Sequence, residues 1–218
     1  MSLRVINIGG DAQGLTFRPV YQTHYDKYGQ VPNNFGSPYW AFRADFIPLK
    51  GLEAREFEAA LDEGEGIHIL GIYDYARLYP WQHQEAIENG ASETIVKEVL
   101  VKGMSRANST LSLQIPPGET VTVGDPIAFK DAFGITHYFR VGLDATMTGT
   151  GTGLGDIKAV KVKIRPRYDL SSVTIAATRI RPRCLFQVDL NEDSRQTGSG
   201  RFTTHNLSGF EYFGAISE

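Results

Sequence analysis

Hydrophobic and polar residues alternate along much of this chain, and the alternation predicts strands. Trp40, Phe42, Ala44 and Phe46 alternate with Ala41, Arg43 and Asp45, which predicts a strand over 39–47 closed by Pro48. Val160, Val162 and Ile164 alternate with Lys161, Lys163 and Arg165 in the same way. Between Ile115 and Arg167 hard turns recur. Pro116-Pro117-Gly118 is the first, since proline fixes φ and glycine reaches positive φ. Gly124-Asp125 and Asp131 to Gly134 follow, separating short β-prone runs at Val121–Val123, Ile127–Phe129 and Thr136–Val141. Such a run of antiparallel strands suffices for a small barrel or meander.

Elsewhere the pattern predicts strands at 3–8, at 15–21 (with Pro19 favouring an edge), at 67–72, 173–177 and 185–188. Ile95 to Val101 reads as a strand buried on both faces, and Leu111, Leu113 and Ile115 as the next. One helix is expected, Leu52 to Asp62. Ala54, Phe57 and Leu61 share a face there, and Gly64 is a stop. Residues 23–38, 74–90 and 191–201 read as loops, and Phe210 to Ile216 as a segment pairing back into the first sheet. The expected organisation is a split β-rich domain, 1–92 plus 172–218, with a small β module, 93–171, inserted in it.

Composition narrows the class. Of 218 residues, 41% are hydrophobic and 22% charged, which fits a globular chain rather than a disordered one. The net charge of −3 gives no bulk reason to expect nucleic-acid binding. A single cysteine, Cys184, excludes an intramolecular disulfide and argues against a cysteine-based zinc site. With no apolar stretch long enough for a bilayer and no basic-plus-apolar leader, the chain is expected to have no membrane span and no signal peptide.

Catalytic chemistry finds little support. His24, His68, His83, His137 and His205 stand apart, without the i, i+4 spacing of a helical zinc pair, and each reads as a structural histidine. His83 with Asp74 and Glu85 can be drawn as a trio, but such trios arise by chance. Gly149 to Gly155 lacks the Gly-Lys-Ser/Thr and following helix of a phosphate loop, and reads as a flexible hairpin tip. The acidic residues of 53–65 read as the solvated face of the expected helix. No catalytic, cofactor or metal residues are assigned, and the chain is not expected to be an enzyme.

Two surface features remain. Lys158, Lys161, Lys163, Arg165, Arg167, Arg179, Arg181 and Arg183 would make one sheet face basic. That face reads as a subunit contact meeting carboxylates of a neighbour, rather than as a nucleic-acid surface. Tyr73, Tyr75, Tyr79 and Trp81 cluster as a sugar-stacking platform or a subunit interface, and both readings stand at this point. Trp40, Phe57, Tyr75, Tyr79, Trp81, Arg165, Arg167 and Arg181 are the candidate interface residues.

The order of these features resembles a known family. Trp40 lies in an alternating strand ending at Pro48-Leu49, and Leu52-Glu53-Ala54 opens a helix. The Gly124-Asp125 turn, the strand Tyr138-Phe139-Arg140-Val141, a glycine-rich loop and the ending Ile164-Arg165-Pro166-Arg167 follow, and Phe210-Glu211-Tyr212-Phe213 comes last. In these the chain resembles the distal tail and tail-tip structural proteins of long-tailed bacteriophages. The resemblance implies a mainly β fold with one short α-helix. It implies a β-sandwich-like ring domain carrying an inserted small β-barrel (OB-like) module.

It also implies a homo-oligomer, a hexameric ring joining the tail tube protein to tail hub or fibre proteins. The first domain would line a channel through which DNA only passes. The inserted module would point outwards, where it can meet fibres or a host-surface glycan. The place of the protein would be the virion tail, after synthesis in the host cytoplasm. A carbohydrate-binding β module without catalysis is the alternative.

Overall fold

The computed structural model describes residues 16–20, 23–24, 33–34, 39–50, 67–143, 146–150, 155–189, 196–197 and 202–214. In chain order the strands are β1 (Thr16–Val20), β2 (Thr23–His24), β3 (Asn33–Asn34), β4 (Tyr39–Lys50) and β5 (Ile67–Tyr73). After helix α1 (Trp81–Glu88) come β6 (Val99–Ser105), β7 (Thr110–Ile115), β8 (Thr120–Val121), β9 (Pro126–Lys130) and β10 (Thr136–Arg140). The chain continues with β11 (Met147–Thr148), β12 (Asp156–Lys161), β13 (Ile175–Ala177), β14 (Arg183–Asp189), β15 (Gln196–Thr197) and β16 (Phe202–Glu211). The fold is mainly β, with several sheets. The expected helix over Leu52–Asp62, with Phe57, and the expected strand over 3–8 lie outside the described residues.

The chain divides into two compact units, one of 1–20, 39–73 and 183–218, the other of 21–38 and 74–182. The second thus takes in 21–38, 74–92 and 172–182, which the sequence reading had grouped with the first.

The first unit holds an antiparallel sheet in the order β1-β4-β16-β14-β5, with β15 paired to β16. Trp40 and Phe42 are fully buried on one face of β4, and Ala41 on the other face is buried too. Phe42 packs against Phe186 at 4.7 Å between ring centroids. The Trp40 amide donates to Glu211 Oε2 at 2.9 Å, tying the last strand to β4. Cys184 is buried within β14. β4 does not stop at Pro48 as the sequence predicts, for Pro48 pairs with Thr204 of β16. The reason is local. β1 reaches only Tyr39 to Arg43. At Pro48, among the described residues, β4 has a neighbour on one side only, so the missing N–H breaks no ladder.

The second unit has its own core. Val99, Val101, Leu111, Leu113, Ile115, Val121, Ile127, Phe129, Phe139, Val141, Val160 and Val162 form one buried cluster. A four-stranded sheet, β12-β7-β6-β13, and the hairpin β9–β10 surround it. The expected small barrel is not formed as a closed one. β8 and β11 are two residues long and β13 three. Isolated bridges, Ala128 with Thr178 and Val141 with Val162, stand where continuous ladders would close the ring. The strand expected from Ile95 starts instead at Val99. Ser92 caps a 3-10 turn over Glu93–Ile95 by accepting from the Thr94 amide, and this leaves Ile95 exposed.

Candidate functional site

The segment 74–90, read as loop from the sequence, contains a 3-10 turn (Tyr75–Arg77) and α1. Pro80 precedes the helix, and Gly90, at φ 96°, follows its end. None of its residues is buried, so apolar packing does not hold it. Polar groups do. The Trp81 amide donates to Asp125 Oδ1 at 2.9 Å. The Gln82 side chain grips the turn before β8 twice, donating to the Gly118 carbonyl at 3.0 Å and accepting from the Thr120 amide at 2.6 Å. His83 Nε2 stands 3.0 and 3.1 Å from the two carboxylate oxygens of Glu119.

Glu119 and Asp125 meet one buried cation. Arg179 donates to Glu119 Oε1 at 2.5 Å, to the Thr120 carbonyl at 2.9 Å and to Asp125 Oδ2 at 3.3 Å. Burial pushes the Asp125 carboxyl up from its ordinary value, against the opposing pull of the Trp81 and Thr122 amides and of Arg179. Arg179 is therefore no part of a basic surface, contrary to the sequence reading. His83 pairs with Glu119, not with Asp74 and Glu85.

Asp74 instead joins the strand Tyr138–Arg140. The Tyr138 hydroxyl donates to Asp74 Oδ2 at 3.1 Å and Arg140 donates to the same oxygen at 2.6 Å. Phe139 and Val141, at the alternate positions, enter the hydrophobic cluster. A third cluster closes the β9–β10 turn. Asp131 Oδ1 accepts from the Phe133 and Ile135 amides at 2.8 and 2.9 Å. Its Oδ2 accepts from the Tyr168 hydroxyl and lies 3.0 Å from His137 Nε2.

Burial tends to raise the Asp131 carboxyl, but the donors His137, Tyr168 and the Ile135 amide outweigh it and hold it below its ordinary value. Burial also lowers the His137 imidazole, although Asp131 opposes this. The Tyr168 phenol is pushed well up, by burial and then by Asp131. An aspartate, a histidine and a hydroxyl are in contact here, but the phenol is held protonated rather than activated. Among the described residues no group of His, Cys, Asp and Glu side chains could hold a metal ion. No described helix is long and apolar enough to cross a membrane.

The residues singled out as interface candidates separate. Trp40 is fully buried. Phe57 and the Tyr75 side chain lie outside the described residues. Arg165 and Arg167 are exposed beyond β12. Tyr79, Arg181 and Glu93 come together: Arg181 donates to the Tyr79 hydroxyl at 3.0 Å and pairs with Glu93 at 2.8 Å. Arg183 is occupied by Tyr73, donating to its hydroxyl at 2.8 Å. Trp81 is 70% exposed. A recess of about 360 Å³ beside it is lined by Gln82, Gln84, Glu85 and Glu88.

The sequence reading found Trp81, and drew Glu85 only into a trio with His83 and Asp74; it missed Gln84 and Glu88, which share the face of Trp81 only because 81–88 is helical. It also missed the Glu119–Asp125–Arg179 cluster, whose arginine lies 60 and 54 residues from the two carboxylates. The chain matches no family model and no curated protein.

Proposed function

We propose that this chain is a virion structural protein, one subunit of a ring at the distal end of a bacteriophage tail. The ring joins the tail tube to tip and host-recognition proteins, and its expected copy number is six. The observation that carries this reading is the architecture: one β unit, 74–182 together with 21–38, has a buried core of its own and alternates along the chain with another β unit assembled from 1–20, 39–73 and 183–218. Together with the sequence resemblance, this supports a ring subunit bearing an outward module. The buried ionisable groups support it, since Asp74, Glu119, Asp125 and Asp131 are spent on holding turns and strands together. Exposed Trp81, Phe133, Leu143, Ile157 and Phe210 offer apolar surface for partners.

Light scattering and electron microscopy of the purified chain test the proposal. A closed ring of several copies is the expected result, and a monomer at every concentration overturns it.

One observation favours a second reading, a carbohydrate-binding module without catalysis. Trp81 presents its indole beside the Gln84 amide and the Glu85 and Glu88 carboxylates, groups that suit stacking on a sugar ring and bonding its hydroxyls. Under this reading the chain is a monomer that binds a glycan in calorimetry and loses that binding in Trp81→Ala.

A further inference from the structure

We infer that the outer face of α1 holds a sugar residue bearing a free amino group, so that its ligand is a glucosamine-type glycan rather than a neutral or acidic one. This rests on the carbohydrate reading above and names the class of sugar within it. A ring subunit and a monomer present the same face.

The face is preformed. Residues 81–83 clamp the helix through Asp125, Gly118, Thr120 and Glu119, which turns the opposite side outward. Trp81, Gln84, Glu85 and Glu88 stand at i, i+3, i+4 and i+7, one face of an α-helix. With Gln82 they line a recess of about 360 Å³. That lies within the range of small-ligand sites, roughly 300–1,000 Å³, and leaves room for a ring rather than for a cation alone.

Each group in the recess has its own task. The Trp81 indole is 70% exposed, and no ring or cation of the described residues covers it. Its flat apolar face matches the C–H face of a pyranose. Gln84 donates to Glu88 at 2.9 Å, which orders one carboxylate and leaves the Gln84 side-chain oxygen to accept from a sugar hydroxyl. Among the described residues the Glu85 carboxylate forms no hydrogen bond and no ion pair.

The two carboxylates decide the class of sugar. An ammonium group beside the ring pairs with them and is drawn to the indole as well. An acidic sugar meets repulsion, and no lysine or arginine of the described residues lines the recess to offset it. Carboxylates alone attract any cation. The indole restricts the choice to a cation carried on a flat apolar body.

Calorimetry on the full chain tests this with short chitosan oligomers, their fully N-acetylated counterparts, oligogalacturonate and polylysine. Chitosan is expected to bind about fivefold or more tighter than its N-acetylated counterpart, and oligogalacturonate not at all. Trp81→Ala lowers the affinity for chitosan on the order of tenfold. Glu85→Gln with Glu88→Gln removes the preference for the free amine and keeps the binding of the N-acetylated oligomer. Raised salt does the same to the wild-type chain. If circular dichroism shows that a variant has lost its fold, the comparison of oligomers and the salt series on the wild-type chain still decide.

Equal affinity for the free and N-acetylated oligomers overturns the amine preference and leaves the carbohydrate reading standing. Polylysine bound as tightly as chitosan, or chitosan binding untouched by Trp81→Ala, overturns the site, because charge alone then accounts for it. No binding of any oligomer overturns it too, and a blank glycan array takes the carbohydrate reading with it.

Discussion

At the scale of single residues, the Asp131–His137–Tyr168 clasp makes a pH prediction. His137 is held below the ordinary value of 6.5, chiefly by burial, so the folded chain binds its proton less readily than the unfolded chain. Its contribution to stability is complete above 6.5 and is lost as pH falls from there through the lower folded value. Asp131, held below 3.8, adds a further loss in stronger acid. Asp125 acts with the opposite sign. Its raised carboxyl favours the fold below 3.8, and that contribution fades as pH rises through its folded value. The melting temperature should therefore drop as pH falls below 6.5. His137→Gln keeps a donor for Asp131 without the titration and should flatten that slope.

The clasp was half legible in the sequence, which marked Asp131–Gly134 as a turn and His137 as structural, but nothing in the letters joined Tyr168 to them. Glycine was harder to read. The run from Gly149 to Gly155 looked like a flexible tip. Yet Gly155 has φ 85°, and a Cβ on either glycine would run into the backbone of Ile115 and Pro116. These glycines permit close approach, a need that composition alone does not separate from flexibility.

At the scale of elements, α1 shows where periodicity fails. A helix with no buried residue leaves no apolar stripe to read. Its signs were of another kind: Pro80 before, Gly90 after, and helix-favouring Gln82, Gln84, Glu85, Ala86 and Glu88 between. Strands with one buried face were legible, as Val160, Val162 and Ile164 show. Strand length was not, since continuing through Pro48 depends on which neighbours lie alongside. Because polar contacts hold α1, breaking them should release it selectively.

Glu119→Ala removes the partner of His83 and leaves Arg179, whose side chain is 1% exposed, with Asp125 as its one carboxylate partner beside the Thr120 carbonyl. Removing one member of a buried pair costs about 3–5 kcal/mol. Hydrogen exchange should show the amides of α1 losing protection well before those of β6 and β7. Equal loss in both would mean that the helix is held by something other than these contacts.

At the scale of the whole molecule, the β character was legible, because alternation and turn residues are local signals. The division into units is not a local signal. The chain passes between units at 20/21, 38/39, 73/74 and 182/183, and the last two crossings fall within stretches that carry no linker composition. Every member of the buried cluster from Val99 to Val162 lies inside 74–182. A fragment of those residues should fold by itself, giving one cooperative thermal transition in circular dichroism. A broad, non-cooperative melt would show that it depends on the remainder.

The first unit is made differently. β16, the last long strand of the chain, pairs with β4 on one side and β14 on the other, and β5 pairs with β14. On the ribosome, then, the inserted unit is complete while its host is still waiting for residues 183–211. Until those emerge, β4 and β5 are apolar strands lacking partners that have yet to be translated. A cell producing this protein quickly would need to shield them, and a nonsense codon soon after 182 would release a sound insert attached to a sheet that can never be finished.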